Sequence, residues 1–109
     1  MGARLPSGLM VSALLRMAEA QGGFATVLAK GDPDGGAIAV ILMERGADPR
    51  LLERVLQPDG DYRWAESAAG DEPVASLASR RRRNDPDLWL IELDIAQADR
   101  FAAEMIAAG

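Results

Sequence analysis

Hydrophobic residues recur at helical spacing near the start of the chain, at positions 10, 14 and 17 and, beside them, at 11, 15 and 18. Residues three and four apart share one face of a helix, so the pattern predicts an amphipathic helix from Ser7 to Gln21. Ser7 fits the N-cap, and Gly22–Gly23 fits the stop. A wide apolar stripe of this kind indicates a helix packed on the core rather than a partner-binding surface.

Two strand-like segments follow, separated by a turn. Phe24–Lys30 has the composition of a strand. Ala37–Met43 is apolar throughout, which suits a strand buried on both faces. Between them, Gly31–Gly36 consists of glycine, aspartate and proline, the residues that tight turns favour. The two strands are therefore expected to pair as a hairpin.

The middle of the chain mixes turn and strand signals. Arg45–Arg50 has the composition of a loop. Leu51–Gln57 has two interpretations, because Asp48 followed by proline favours a helical turn, whereas the turn signal Pro58–Asp61 directly after it favours a strand. We favour the strand, since Tyr62–Ser67 alternates as a strand should and would complete a second hairpin.

The last third of the chain predicts a helix, a strand and a second helix. Ala68–Pro73 is a linker, and Pro73–Asn84 is a helix with the proline in its first turn. Leu88–Asp94 carries apolar residues on both faces, which is typical of an inner strand. Asp94 is then expected to cap a C-terminal helix that runs to Ala107.

The predicted order is α-β-β-β-β-α-β-α in a single domain over residues 1–109. Consecutive strands joined by short turns form antiparallel pairs. The expected fold class is therefore α+β, a mainly antiparallel sheet of about five strands with three helices covering one face. Many of the apolar residues are alanines, so the core is thin, and a homodimer would add buried surface.

Composition excludes several chemistries. The chain has a net charge of −5 and contains neither histidine nor cysteine. A Ser-His-Asp or Cys-His catalytic site is therefore excluded within this chain, as are disulfides and cysteine-ligated metals. No catalytic residue, metal or cofactor is predicted. The first residues resemble neither a signal peptide nor a membrane span, so a cytoplasmic location without membrane contact is expected.

The densest charge lies in the arginine run Arg80–Arg83. Successive helical residues are about 100° apart, so the four side chains spread around the helix and cannot all face one phosphate track. The structural interpretation is a solvated helix end that pairs with Asp85, Asp87 or Glu92. The functional interpretation is a surface that contacts a ligand or partner. The candidate contact residues are Arg80, Arg82, Arg83, Asp85, Asp87 and Trp89.

Four residues near turns have both a structural and a functional interpretation. Asp32 and Asp34 stand two residues apart, as in calcium loops, but the closing glutamate is lacking, so a tight turn is favoured. Asp85 is expected to accept backbone N–H bonds where the helix gives way to the strand. Trp89 is expected in the core, and the alternative is a ligand or partner surface where it stacks on an arginine.

Three short motifs resemble a known family. They are Arg4-Leu5 with Ser7-Gly8, the Gly31-Asp32 turn with Gly36-Ala37-Ile38, and, most specifically, Asp85-Pro86-Asp87-Leu88-Trp89 followed by Glu92. Together they make the chain similar, nearly end to end, to the uncharacterised bacterial family labelled "domain of unknown function 1491". Met10 and Asn84 depart from its pattern, where aromatic residues are more usual. The resemblance implies no reaction, ligand or partner, and it supports a strand at residues 51–57.

These features favour a non-enzymatic binding or interaction module whose contact surface is the end of the second helix. The first alternative is a small enzyme that acts on a phosphorylated or anionic small molecule through arginine and aspartate. The second is a nucleic-acid accessory protein, which the net charge of −5 opposes. A protein partner of unknown identity is therefore expected before a nucleic acid or a membrane.

Overall fold

The computed structural model describes residues 5–67 and 71–108. The elements are, in chain order, α1 (Ser7–Ala20), β1 (Phe24–Ala29), β2 (Ile38–Glu44), β3 (Ala47–Leu56), β4 (Tyr62–Ser67), α2 (Val74–Asn84), β5 (Trp89–Asp94) and α3 (Ala98–Ala108). The predicted order of helices and strands is confirmed, including the strand interpretation of residues 51–56. Part of the predicted linker Ala68–Pro73 lies outside the described residues. Within the described ranges, no helix is both long and apolar enough to cross a membrane.

The five strands form one sheet in the order β1-β5-β2-β3-β4. Neighbouring strands are antiparallel except for β2 and β5, which are parallel. The predicted hairpin between the first two strands is wrong, because β5 lies between them. Strand β5 is apolar on both faces and is best buried between two other strands, whereas the more exposed β1 lies at the edge. The prediction of an inner strand over the last apolar segment is confirmed.

Helices cover both faces of the sheet, so the prediction of a single covered face is wrong. Helices α1 and α3 pack on one face, over Ile38, Val40, Leu52, Trp89, Ile91 and Leu93. Helix α2 packs on the other face, over Ala39, Ile41, Leu51, Leu88 and Leu90. Successive residues of a strand point to opposite faces, and both sets are apolar in β2 and β5. Strands with this pattern need a helical layer on each side.

A two-residue turn joins β2 to β3. Arg45 and Gly46 have φ angles of 53° and 72°, the left-handed values that a type I′ hairpin turn requires at both central positions. Strand β3 therefore begins at Ala47, and the loop predicted at Arg45–Arg50 shrinks to these two residues. The N–H groups of the turn donate to the carboxylate of Asp94 over 2.7 and 2.9 Å.

Two predicted helix caps are wrong, because both side chains have partners elsewhere. Ser7 is the first residue of α1 and is buried, and its hydroxyl donates to the carbonyl of Gly36. Asp94 accepts the N–H groups of the β2–β3 turn. The Ala98 N–H at the start of α3 instead donates to Glu44 Oε1 over 3.1 Å. Each of these bonds joins segments that are far apart in the sequence.

Candidate functional site

Three segments that are distant in the sequence meet at one end of the sheet. Because β5 lies between β1 and β2, the connection from β1 to β2 has to pass the start of β5. The first turn of α1 lies against the same connection. We call this place the corner and define it as Ser7–Gly8, residues 31–37 and residues 85–89. It brings together parts of all three motifs on which the family resemblance rests, Ser7-Gly8 from the first, Gly31-Asp32 with Gly36-Ala37 from the second and Asp85–Trp89 from the third.

Backbone hydrogen bonds join the three segments of the corner. Gly8 N donates to Pro33 O over 2.8 Å, which fixes the start of α1 on the connection. Asp32 N donates to Asp87 O over 2.9 Å, which fixes the connection on the turn before β5. The corner is therefore built from main-chain contacts rather than from charged side chains.

Two glycines allow the backbones to approach this closely. A Cβ atom on Gly31 would lie 2.2 Å from the carbonyl oxygen of Asp87, and one on Gly36 would lie 2.1 Å from the same atom. Real Cβ atoms essentially never come closer than 3.0 Å to such a neighbour. Neither glycine has a positive φ, so close approach rather than backbone conformation requires glycine here.

The Asp85–Trp89 segment carries polar contacts of its own. Asp87 N donates to Asp85 Oδ1 over 3.1 Å, which confirms that Asp85 accepts a backbone N–H at this point. The Trp89 ring is 6% exposed and packs in the core beneath α1 and α3. Its Nε1 donates to Asp32 O over 2.7 Å. Trp89 therefore lies in the core, as expected, and its indole Nε1 forms a hydrogen bond within the corner.

The arginine run does not gather at the corner. Arg80 pairs with Glu72 at 2.8 Å, and Arg81 pairs with Glu53 at 3.2 Å. Among the described residues, the ion pairs of the run are thus with glutamates, and the expected pairs with Asp85, Asp87 or Glu92 are not formed. The physical reason is helical geometry, since neighbouring residues of α2 point in different directions.

Arg82 and Arg83 also point away from each other. Arg82 NH2 donates to the carbonyl of Lys30 over 3.3 Å, and its buried Nε has no hydrogen-bond partner within the described ranges. This contact joins the end of α2 to the end of β1. Arg83 instead lines a shallow depression with Ser76 and Ser79 on the outer side of α2. The six candidate contact residues therefore do not form one surface.

A cleft of about 450 Å³ opens beside the corner, and we call it the corner cleft. Asp85 and Asp87 line it, together with Arg54, Val55, Leu56 and Tyr62 from the β3–β4 hairpin. Val55 is 42% exposed and Leu56 is 53% exposed. The Arg54 guanidinium lies over the Tyr62 ring, 4.5 Å from its centre. The cleft therefore combines carboxylates, an aromatic ring and exposed aliphatic side chains.

The two aspartates of the cleft are available for an external cation. Among residues 5–67 and 71–108, neither Asp85 nor Asp87 forms an ion pair. Within the described residues their carboxylates take part in one hydrogen bond, from Asp87 N to Asp85 Oδ1. Asp87 is exposed and Asp85 is half-buried. A partner's ammonium or guanidinium group could approach both carboxylates without breaking an internal ion pair.

Shifted pKa values occur at ion pairs away from the cleft. The hydrogen bond from Arg50 lowers the pKa of Glu66, and the one from Arg80 lowers the pKa of Glu72. Arg50 donates from Nε and NH2 to both carboxylate oxygens of Glu66, over 3.1 and 2.6 Å, and from NH1 to Asp99 over 2.6 Å. These shifts have the direction expected of carboxylates in salt bridges and identify no group adapted for proton transfer.

The acidic turn of the β1–β2 connection is a local structural feature. Asp34 N donates to Asp32 Oδ1 over 3.2 Å, as in the tight turn that the sequence favoured over a calcium loop. In the part of the chain that the structure describes, no group of three or more acidic side chains is close enough together to hold a metal ion.

The sequence pattern missed the exposed apolar surface. It predicts strands around Val55–Leu56 and Phe24–Ala29 but does not show which side chains remain exposed. Exposure depends on the order of strands in the sheet, which local patterns do not specify.

The fold and the corner define a small α+β protein in which one five-stranded sheet lies between two helical layers. The chain belongs to the family described as "Protein of unknown function (DUF1491)", whose model matches residues 5–103. The resemblance inferred from the three motifs is thereby confirmed. No curated protein matches the chain.

Three solved structures show the same fold. The crystal structure of a DUF1491 family protein from Caulobacter crescentus CB15 is 34% identical, with a TM-score of 0.75 over 84% of this chain and 88% of that chain. An NMR structure of a DUF1491 family protein from the same organism is 33% identical, with a TM-score of 0.79 over 89% and 91%. The solution structure of protein Atu0922 from A. tumefaciens is 35% identical, with a TM-score of 0.71 over 87% and 89%.

Proposed function

We propose that the chain is a non-enzymatic protein-binding module and that the corner cleft holds a segment of its partner. The observation that carries the proposal is the cleft itself, where exposed Val55 and Leu56 lie near the carboxylates of Asp85 and Asp87. Its volume of about 450 Å³ falls within the range of about 300–1,000 Å³ that ligand-binding clefts occupy. The contact surface is thus the Asp85–Asp87 part of the predicted site, joined to the end of the β3–β4 hairpin.

The lining indicates which chemistry the partner segment carries. Val55 and Leu56 are consecutive residues of β3 and point to opposite faces of the hairpin, so an apolar side chain of the partner covers one of them, at about 1.5–3 kcal/mol if that side chain is fully buried. Asp85 and Asp87 favour an arginine or lysine, because charge-assisted hydrogen bonds are the strongest that a carboxylate makes. The net charge of −5 adds a long-range attraction for a basic partner. The partner segment therefore combines an apolar residue with a nearby basic residue.

The alternative functions receive less support from the same lining. An enzyme acting on an anionic small molecule needs arginines that converge on the substrate, but Arg80, Arg82 and Arg83 do not line the cleft, and the guanidinium of Arg54, which does, lies over the Tyr62 ring. Its two aspartates would also repel an anion. A nucleic-acid accessory role meets the same repulsion, and Arg80 and Arg81 already pair with glutamates.

The test is affinity capture from the native host, followed by mass spectrometry, with two matched double variants. Leu56→Ser with Asp87→Asn removes one apolar and one acidic group from the cleft. Leu9→Ser with Asp48→Asn makes the same changes at exposed positions that do not line it. We expect a protein that the wild type and the control capture and that the cleft variant loses. If every captured protein is retained equally by the cleft variant, the proposal is wrong.

A further inference from the structure

The corner cleft lies where the pairing between β2 and β3 ends. The last pair of that ladder joins Ile38 to Arg54, whereas β3 continues to Leu56. On its other side, β3 stays paired with β4 to its last residue. Among the described residues, Val55 and Leu56 therefore have a neighbouring strand on one side only, and the cleft opens on the side that lacks one.

The contacts that build the corner end this pairing. In the register of β2 and β3, Leu56 would stand opposite Gly36. The Gly36 N–H instead donates to Asp32 O over 3.3 Å, and the Gly36 carbonyl accepts the hydroxyl of Ser7. Both backbone groups of Gly36 are thus used within the corner, and neither is left for Leu56.

The backbone groups of Leu56 point toward the cleft. Successive residues of a strand direct their N–H and C=O groups alternately to the two neighbouring strands. Gln57 N donates to Asp61 O over 2.7 Å where β3 turns into β4, so Gln57 and Val55 direct these groups at β4. Leu56 directs its own groups to the opposite side, where residues 35–37 form the far wall of the cleft. An extended segment in the cleft can therefore pair with Leu56 as a further strand would.

The outer edges of the sheet are less suited to an added strand. The open edge of β1 is interrupted by the register shift between Val27 and Ala29. The edge at β4 is protected, because this strand carries the charged residues Arg63 and Glu66. Bulges and charges are the usual means by which edge strands avoid pairing. The end of β3 has neither device on the side that faces the cleft.

We propose that the partner segment lies in the corner cleft as an added strand, with one of its residues paired with Leu56. This inference rests on the proposed function and specifies how the partner is held. Charge selects a basic segment of another protein as the occupant, because Asp85 and Asp87 form no ion pair within the described ranges. A second copy is disfavoured by the net charge of −5. Main-chain hydrogen bonds would hold the segment, and its side chains would give specificity.

One face of the added strand meets an apolar and cationic surface. Residues that stand opposite each other in neighbouring strands point to the same face, so Leu56 shares its face with Tyr62. Arg54, two residues before Leu56, lies on this face as well, with its guanidinium over the Tyr62 ring. The partner residue paired with Leu56 also points there. Leu56 favours an apolar side chain at this position, and Arg54 repels a basic one.

The other face of the added strand meets the acidic side of the cleft. Val55 and Glu53 point to this face, on which α2 packs, since Glu53 pairs with Arg81 of that helix. Asp85 directly follows α2 and lines the cleft together with Asp87. A lysine or arginine can lay its aliphatic stem along Val55 and bring its charged head to the aspartates. The recognised sequence is therefore an apolar residue with a basic residue immediately beside it, not two positions away.

The first test is NMR titration of the full chain with two short capped peptides of the same composition. In the first peptide a leucine lies directly between two lysines, and in the second a serine separates the leucine from each lysine. We expect the first to bind with a Kd on the order of 1 mM and the second at least about tenfold more weakly, because its leucine and lysines all point to one face. Asp87→Asn should weaken binding of the first peptide, whereas Asp48→Asn, at an exposed position outside the cleft, should not.

Two outcomes of the titration would overturn the proposal. Equal affinity of the two peptides for the cleft would exclude the added strand but leave the cleft as a partner site. Absence of binding by both peptides at about 5 mM would also exclude it. Capture with the double variant Leu56→Ser and Asp87→Asn reports separately whether the cleft holds a partner at all, so failure of the added strand is distinguishable from failure of the proposed function.

The second test follows the backbone amide of Leu56 during binding of the first peptide. An added strand supplies an acceptor for this N–H, so its hydrogen exchange should slow at least about fivefold when most of the cleft is filled. N-methylation of the peptide's leucine removes the N–H that pairs with the Leu56 carbonyl and should weaken binding at least about tenfold, whereas N-methylation of a terminal residue should not. Shifted Val55 methyl signals with unchanged exchange of the Leu56 amide would mean contact through side chains alone and would overturn the added strand.

Discussion

The corner and the outer edge of β1 are neighbours in the chain, yet they differ in whether their backbone groups have hydrogen-bond partners and in how far their apolar side chains are buried. At the corner, main-chain groups of three segments bond to one another, and Trp89 is 6% exposed. Along β1, Phe24 is 76% exposed and one side of the strand has no neighbour among the described residues. The most specific family motif lies at the corner. A motif can therefore mark the place where a fold is fixed, while the surfaces suited to contact lie beside it or at the far side of a strand.

The largest expected effect is at a corner glycine. Gly36→Ala places a Cβ atom 2.1 Å from the Asp87 carbonyl, so backbone has to move, and we expect a loss of at least about 3 kcal/mol in the free energy of unfolding. Gly35→Ala is the matched control, because the nearest atom to its Cβ is 4.0 Å away. Urea unfolding of both variants is the measurement. Equal stability of the two would contradict the close-packed corner.

The second-largest loss of stability is expected when the indole N–H of Trp89 is removed. Trp89→Phe leaves the carbonyl of Asp32 without its 2.7 Å hydrogen bond, and we expect a loss of about 1–3 kcal/mol in unfolding free energy. Trp64→Phe removes the same atoms from a half-buried tryptophan of β4 and should cost less. Thermal and urea unfolding compare the two variants. A larger loss at Trp64 would mean that the hydrogen bond to Asp32 contributes little to the corner.

A smaller effect is expected at the protected edge, β4. Hydrogen bonding to Arg50 lowers the pKa of Glu66, so the pair stabilises the fold fully above the unfolded pKa of about 4.3 and loses this effect as pH falls through the folded pKa. Because the pair is partly exposed, Glu66→Gln should cost about 0.2–1 kcal/mol at about pH 7. Urea unfolding across pH should show this difference shrinking in acid. A difference that grows in acid would have the wrong sign.

The smallest effect on folding is expected at the open edge. Leu28 is 47% exposed, so Leu28→Lys should change the free energy of unfolding by less than about 0.5 kcal/mol. Gly36→Ala, by contrast, is expected to lower the free energy of unfolding strongly. Urea unfolding at low protein concentration measures it. A loss as large as that of Trp89→Phe would mean that the side chains of the open edge contribute as much to folding as the polar contacts of the corner.

The sequence predicts the elements well because helices and strands depend on local spacing. Leu88–Asp94 is recognisable as an inner strand, since its apolar residues fall on both faces. Local spacing does not predict which strands pair with each other. The turn signal at Gly31–Gly36 is correct, but the connection passes the start of β5 instead of closing a hairpin, because β5 gains more burial between two strands than at the edge.

The candidate site likewise has contacts that the local sequence predicts and contacts that depend on tertiary packing. Asp85 and Trp89 behave as expected because their contacts are local or arise from burial. The arginine run was placed on the helix correctly, but its partners Glu53 and Glu72 depend on how α2 lies on the sheet. The exposure of Val55 and Leu56, which shapes the corner cleft, also follows from tertiary structure alone. Long-range packing thus decides what local patterns leave open.

Native-state hydrogen exchange tests the contrast between corner and edge most directly. The Asp32 amide donates to Asp87 O, and the Trp89 amide donates to Ala37 O, both within the corner. We expect these amides to exchange only through global unfolding, whereas the amides of β1 that face outward, away from β5, exchange quickly. Exchange of the Asp32 and Trp89 amides through local opening, as fast as at the outer edge of β1, would contradict the account.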